Sequence, residues 1–441
     1  MSDRRNFIKQ MIAGGILLPS ATRSLFGKND TPGGYTEEKE IRIALIGKGG
    51  MGTADANCAL QTPNVKITAV CDLYDARLEQ AKNQWGNVFT TKDYKEILER
   101  KDVDAVIIAT PDHWHQPVSI AAMKAGKHVY CEKPVIHKVK EAQALIDAQK
   151  AGSSYFQAGS QGMASLGNRK ARQLVSAGFL GKINFIDGQF TAAPGLLGNY
   201  PVPADASEKT IRWKQFTGPA PEHDFDTQRF FYWRNWKDYG TGIAGDLFVH
   251  VLASLHYITD AIGPEKVYTT GGIRHYTDGC RDTPDVMLGY LDYPDRHGAG
   301  AFTVQLGANY VDGISGKWGS MNFRIVGSEG ALDVGWDKVT FKSLKEIDLN
   351  ELKKPDEIGQ GIDVPEIISP KEVVFKAADG YKGGHYDHFL NFFTGIRNRT
   401  SLTADVLFGV RSAIPALLCY ESYSTGKAIR WDPEKNSEFI N

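Results

Sequence analysis

Nowhere does the 441-residue chain hold 18 consecutive apolar residues, so nothing in it has the length of an ordinary membrane-spanning helix. Excess charge of either sign is also missing. The 51 Lys and Arg against 52 Asp and Glu leave a net charge of -1, which excludes the basic footprint of a nucleic-acid or anionic-membrane binder. Cysteine is scarce. Cys58, Cys71, Cys131, Cys280 and Cys419 form no C-x-x-C and no close pair, which argues against a disulfide framework or a structural zinc centre and leaves small buried thiols. With 42% hydrophobic and 23% charged residues the composition lies near the globular average, so disordered, collagen-like and coiled-coil classes are out. What is present is aromatic: 8 Trp, 18 Tyr and 21 Phe, a stock that suits stacking on sugar rings or simply a rich core. At about 150 residues per domain the length predicts two or three domains.

The first 27 residues read as an address. Arg4-Arg5, Phe7 and Lys9 precede a short, weakly apolar stretch from Met11 to Leu18 that ends at Pro19. This arrangement resembles a bacterial twin-arginine export signal, and predicts a periplasmic protein that folds before export. Gly33-Gly34 and the charged run to Glu40 read as a linker, so residues 1–34 are set apart from the fold.

Ile41 to Ile46 is an apolar run of strand length. It meets Gly47, Gly49, Gly50, Met51 and Gly52 in a G-x-G-x-x-G pattern. A helical stretch follows, then a strand from Val65 to Val70 and Asp72, twenty residues beyond Gly52. Strand before, helix after and an acid at that distance give the dinucleotide-binding pattern. The glycines admit a tight turn and the close approach of a pyrophosphate, and the acid accepts from ribose hydroxyls. Asp72 would repel a 2′-phosphate, so NAD is expected. Arg77 points the other way, but reads as part of the solvated face of a helix over Asp75–Trp85. Further helices and strands alternate to about residue 158, which predicts a doubly wound parallel sheet. Thr110-Pro111-Asp112-His113-Trp114-His115 follows one strand's carboxyl end, the edge where such sheets bind ligands.

Cys131-Glu132-Lys133-Pro134 follows the next strand, and Gly245-Asp246-Leu-Phe-Val-His250 lies downstream. A Rossmann half, T-P-D-x-x-H, E-K-P and D-x-x-x-H together resemble the glucose–fructose oxidoreductase / inositol dehydrogenase / rhizopine catabolism (Gfo/Idh/MocA) family over residues 40–430. The resemblance implies an α/β protein in two parts: a Rossmann domain over 35–160, and a substrate and oligomerisation domain over 161–441 with a large, mostly antiparallel sheet. It implies Lys133, Asp246 and His250 as catalytic residues. For the cofactor it implies Thr110, Pro111, His115, Glu132, Lys133 and Gln161 beside the glycines and Asp72. The chemistry is coherent: a histidine takes a hydroxyl proton near neutral pH, and a lysine steadies the developing alkoxide. Asp246 and His250, four apart on a helix over Ile243–Thr259, share a face, so the carboxylate can orient the imidazole.

Other residues divide between two readings. The segment Phe225 to Tyr239 offers aromatic faces with Arg229, Arg234 and Lys237, either for a sugar or as a hydrophobic arm. Trp233 and Arg234 are its candidate substrate contacts. His113 reads as surface or substrate-facing, and His256 as a core residue. Gly383 to His388 opens a helical region running to Tyr420. His388 is a candidate substrate contact, but with His385 and Asp387 it lacks a third placed ligand, so no metal is expected. The expected activity is NAD-dependent oxidation of a sugar, glycoside or polyol hydroxyl, with the cofactor recycled in place. The alternatives are a glycosidase that oxidises its substrate transiently and a non-catalytic sugar sensor. The expected partners are a small carbohydrate and other copies of the chain, as a dimer or tetramer through the open sheet, with neither nucleic acid nor membrane.

Overall fold

The structure is a computed structural model that describes residues 39–191, 201–295, 300–311, 323–348, 352, 365–435 and 437–438. The export-signal reading of residues 1–27 and most of the linker lie outside the described residues. Residues 38–441 form one compact unit.

Its first part is a six-stranded parallel sheet in the order β3-β2-β1-β4-β5-β6. The strands are β1 (Ile41–Ile46), β2 (Val65–Cys71), β3 (Phe89–Thr91), β4 (Ala105–Ile108), β5 (His128–Glu132) and β6 (Phe156–Gly159). The strands β1 and β4 are almost wholly buried, as apolar runs covered by helices on both faces must be. The helices are α1 (Gly50–Ala59), α2 (Asp75–Trp85), α3 (Tyr94–Glu99), α4 (His115–Lys124) and α5 (Ala142–Lys150). The strand order reverses between β1 and β4, and their carboxyl ends open the crevice in which such sheets hold a ligand.

The helix α6 (Leu166–Ser176) leads to the second sheet. Its strands are β7 (Ile183–Thr191), β8 (Lys266–Gly272), β9 (Val286–Tyr293), β10 (Phe302–Asn309), β11 (Phe323–Gly327), β12 (Gly330–Val334), β13 (Lys338–Ser343), β14 (Glu366–Ser369), β15 (Glu372–Lys376), β16 (Ile429–Asp432) and β17 (Ser437–Glu438). They are ordered β14-β15-β13-β12-β11-β7-β10-β9-β8-β16-β17, and among the described residues every pairing except β7 with β10 is antiparallel. Tyr268, Leu288 and Tyr290, each about 45% exposed, stand on β8 and β9.

The two parts interlock. The region from Gly383 onward is two helices, α7 (Gly384–Asn398) and α8 (Val406–Thr425), separated where Arg399 takes a left-handed conformation at φ 54°. The single long helical region expected there is therefore broken. Phe389, Phe392 and Phe393 of α7 share a hydrophobic cluster with Ile43, Leu45 and Ile107 of the parallel sheet. Among the described residues no helix is long and apolar enough to cross a membrane.

Candidate active site

The glycine turn after β1 is shaped for a phosphate. Gly47 has φ +98°, and a Cβ there would meet the Ala109 carbonyl oxygen at 2.5 Å. A Cβ at Gly52 would lie 2.0 Å from the Gly47 carbonyl oxygen, so only glycine lets α1 pack this close to β1. Gly49 and Gly50 face open space. The N-cap Gly49 offers no side-chain bond to α1, whose first turn carries no acid. Its free N–H groups and the helix dipole favour an anion there. Thus the turn fits a dinucleotide pyrophosphate on its own geometry.

A cavity of about 800 Å³ runs from this turn along the carboxyl edge of the sheet. Gly47, Gly49, Gly50, Met51 and Asp72 line one end, and Thr110, Pro111, His115, Glu132 and Lys133 the other. Asp72 is buried, accepting from the backbone N–H of Lys48 at 2.7 Å and of Tyr74 at 3.0 Å. Arg77 is not on a solvated helix face. It lines the cavity with its guanidinium 3.6 Å from Asp72 and over the rings of Phe230 and Phe231, because those rings cover the α2 surface that would otherwise face water.

The cover comes from the segment 205–239. The backbone of Ile211 bridges Tyr74, Arg212 N–H donates to Leu73 O, and the Tyr74 hydroxyl donates to Asp205 at 2.5 Å. Phe216, Phe230, Phe231 and Tyr239 form a buried cluster with Tyr74. The aromatic segment thus divides between two surroundings. Most of it is an apolar arm, while Trp233 and Arg234 line the cavity, with the guanidinium 4.2 Å from the Trp233 ring.

Lys133, Asp246 and His250 come together. Lys133 Nζ donates to both the side chain and the backbone carbonyl of Asp246, each at 2.8 Å. Two of its three N–H bonds are so used, and Lys133 itself lines the cavity. Asp246 also accepts from Arg234 Nε at 3.3 Å. Burial opposes its charge, but Lys133 and Arg234 outweigh burial and hold the carboxyl well below the ordinary carboxylate range. Asp246 sits in a π-helical turn, Ala244–Phe248, that precedes the α-helix Val249–Thr259. This corrects the uniform helix and the expected carboxylate–imidazole bond: Asp246 turns to Lys133 and Arg234 because two cations are within reach. His250 is half-buried, and its ring makes no hydrogen bond among the described residues. Burial and the Lys133 charge keep it neutral, well below an ordinary histidine. The turn is fixed from the first domain, since Asp112 accepts from Thr241 N–H and Oγ1 at 3.0 and 2.7 Å.

His115 lines the cavity with both ring nitrogens already engaged, while His113, His256 and His388 are not part of the lining. Both ring nitrogens of His115 face carbonyl oxygens, of Pro134 at 2.7 Å and Thr110 at 2.9 Å, so its ring is a strut between the two loops. His113 is neither surface nor substrate-facing. It is buried with Nε2 2.8 Å from Phe216 O, and burial lowers its pKa to about 4. His256 is buried against the Tyr293 hydroxyl at 2.9 Å. His388 donates to Ala158 O at 2.8 Å, buried beside Tyr130 and away from the cavity lining, which removes it as a substrate contact. Gln161 is likewise buried and turned to Tyr130 and Glu132 rather than to the cavity. Among the described residues no group of three His, Cys, Asp or Glu is placed to hold a metal.

Sequence reasoning missed Asp55. It is the lone charged residue of α1, and that isolation among small uncharged residues was its signal. It is fully buried, with Oδ1 2.8 Å from His385 Nε2.

Residues 41–160 match the oxidoreductase family profile described as the NAD-binding Rossmann fold, and residues 211–430 that family's C-terminal alpha/beta domain. Over 165 residues the chain is 35% identical to glycosyl hydrolase family 109 protein 2 of Shewanella sp. (strain ANA-3), covering 33% of this chain and 36% of the relative. The chain therefore spans about a third of that curated relative's length. By structure it is similar to a levoglucosan dehydrogenase in complex with NADH and levoglucosan, with TM-score 0.67, 19% identity and coverage of 89% and 99% of the two chains. It is also similar to an aldose-aldose oxidoreductase from Caulobacter crescentus, with TM-score 0.63, 17% identity and coverage of 89% and 100%.

Proposed function

The chain belongs to the Gfo/Idh/MocA family of NAD-binding oxidoreductases, and from that premise we propose that it oxidises a hydroxyl group of a sugar, glycoside or polyol. The observation that carries the reading is Lys133, anchored at 2.8 Å by Asp246 at the cavity wall, with neutral His250 on the same helical segment as Asp246. When bound, NAD accepts and returns a hydride. Lys133 holds the reacting oxygen with its remaining N–H and steadies the alkoxide. Asp246 fixes the direction of the ammonium, and a ring nitrogen of His250 takes the hydroxyl proton. Trp233 offers an aromatic face for a sugar ring. The likeness to a dehydrogenase bound to levoglucosan supports the substrate class.

In this reading the protein is exported with its nucleotide in place, and the hydride is handed back within the same site. A second reading is favoured by the glycosyl hydrolase relative: the chain uses the same oxidation transiently to expel a leaving group. A panel of glycosides, offered to protein purified without dialysis, tests both. The first predicts a ketosugar and a change in nicotinamide absorbance that a carbonyl acceptor reverses. The second predicts release of the leaving group with no net reduction of NAD. Absence of both reactions would refute the substrate class. Replacing Arg4 and Arg5 by lysine should retain the protein in the cytoplasm, and undiminished export would refute the address.

A further inference from the structure

Three ionisable side chains lie beneath the cavity and take no part in the chemistry above. Asp55 comes from α1, Glu132 from the end of β5 and His385 from the first turn of α7. Glu132 lines the cavity, while its Oε1 accepts from Gln161 Nε2 at 2.5 Å. Gly159 makes room for it, since a Cβ there would lie 2.5 Å from Oε1. Asp55 shares a hydrogen bond with His385 at 2.8 Å, and among the described residues its Oδ2 has no partner although fully buried. His385 is 25% exposed, so the cluster reaches from the cavity to solvent.

Topology places Glu132 at the reacting end. Asp72, after β2, marks the adenosine ribose side of the switch point. Glu132 ends β5 on the other side, beside Lys133. A nicotinamide there is cationic before it takes a hydride and neutral afterwards. We propose that Asp55, Glu132 and His385 form a buried proton store that gains one proton when the nicotinamide becomes neutral and gives it up when the ring becomes cationic again. The balance closes. The alcohol gives a hydride, with its electron pair, to the ring and its hydroxyl proton to His250. His250 is held neutral and does not keep the proton, so the store carries it until the carbonyl is reduced. The proposal rests on the hydride-transfer reading above.

The surroundings suit this role. Burial, then the Asp55 charge, push the Glu132 carboxyl up to about 8, with Lys133, His385 and Gln161 acting against them. Burial also raises Asp55 well above its ordinary range, opposed by Gln161 and Lys133. The remaining titratable groups facing the cluster are Tyr130 and Cys58, which burial pushes up, and His388, which burial pushes down to about 4. None of these three changes charge between pH 6.5 and 9.

The test needs no sugar. NAD and NADH affinities of the full-length protein are measured by titration from pH 6.5 to 9. Loss of the stored proton makes the site more negative and favours the cationic ring. The ratio Kd(NAD)/Kd(NADH) should therefore fall by at least about fivefold over this range, within the limit of tenfold per pH unit for one linked proton. In Glu132→Gln the ratio should be flat. In Asp55→Asn the transition should move to lower pH, because the neighbouring charge is gone. A pH-independent ratio in the wild type, with both nucleotides bound, overturns the store and leaves the cofactor assignment standing. Failure to bind either nucleotide overturns both. A wild-type slope that survives unchanged in Glu132→Gln assigns the proton elsewhere and overturns the proposal even if Asp55→Asn does not fold.

Discussion

Replacing Lys133 by methionine should separate what the ion pair does for the fold from what it does for the reaction. Lys133 and Asp246 meet at 2.8 Å with side chains 11% and 14% exposed. At an effective dielectric of about 20, a pair at that distance attracts with a gross energy of roughly 6 kcal/mol, most of it offset by desolvation. Removing one partner of a buried pair typically costs about 3–5 kcal/mol, because the other charge stays buried. Here Arg234 remains 3.3 Å from Asp246, so the expected loss of stability is smaller, about 2–3 kcal/mol. Turnover should fall further. One oriented donor to a developing oxyanion is worth roughly 10²–10³-fold. The double variant Lys133→Met/Asp246→Asn should recover most of the stability and none of the turnover. Denaturant unfolding gives the first quantity, and single-turnover nicotinamide absorbance the second. Near-normal turnover in Lys133→Met would remove the lysine from the mechanism. Unchanged stability would show that Arg234 alone balances Asp246.

Asp72→Ala should erode the preference for NAD and raise NADP affinity, since it leaves Arg77, now 3.6 Å from Asp72, to meet a 2′-phosphate; competitive titration of the two nucleotides checks this, and an unchanged preference refutes it. Gly47→Ala should abolish nucleotide binding and lower the unfolding midpoint, as it forces a side chain into φ +98° against Ala109 O. Burial lowers His113 and His388 to about 4 and His256 to about 3. Their folded values lie below the unfolded value near 6.5, so the stabilisation is complete above about pH 6.5 and is lost as pH falls towards 4 and then 3. The slope should approach about 4 kcal/mol per pH unit when all three titrate together, and His388→Gln should lower it by one proton's share.

The parallel sheet was legible because strands buried on both faces are written as apolar runs, and because glycine spacing records a turn that tolerates no Cβ. The strand β3 was not, since three residues are too few to show a pattern. The π-turn at Ala244–Phe248 escaped because one extra residue in a turn leaves the four-residue spacing of Asp246 and His250 intact. The partners of Asp246 escaped for another reason: Lys133 lies 113 residues away in the chain. His113 and His388 were read by their neighbours in sequence, while their places are set by carbonyls more than a hundred residues distant. Motifs identify which residues meet a ligand; they do not say which of those residues first meet one another.

The placement of α7 bears on how the protein is made. Phe389, Phe392 and Phe393 fill the same core as Ile43 and Leu45, so the cover of the nucleotide-binding sheet on that side, begun by Ala56, Ala59, Leu78 and Ala81, is completed only after some 350 further residues have left the ribosome. The wall over Asp72 is also late, because Phe230 and Phe231 belong to the second half of the chain. Residue 160 divides the topology without dividing the folding, and a fragment cut there would keep its glycine loop and lose the part of its core that Phe389, Phe392, Phe393 and Leu402 supply. Nucleotide capture thus waits on synthesis well past the parallel sheet, since the lining of the pocket runs from Ile46 to Arg234.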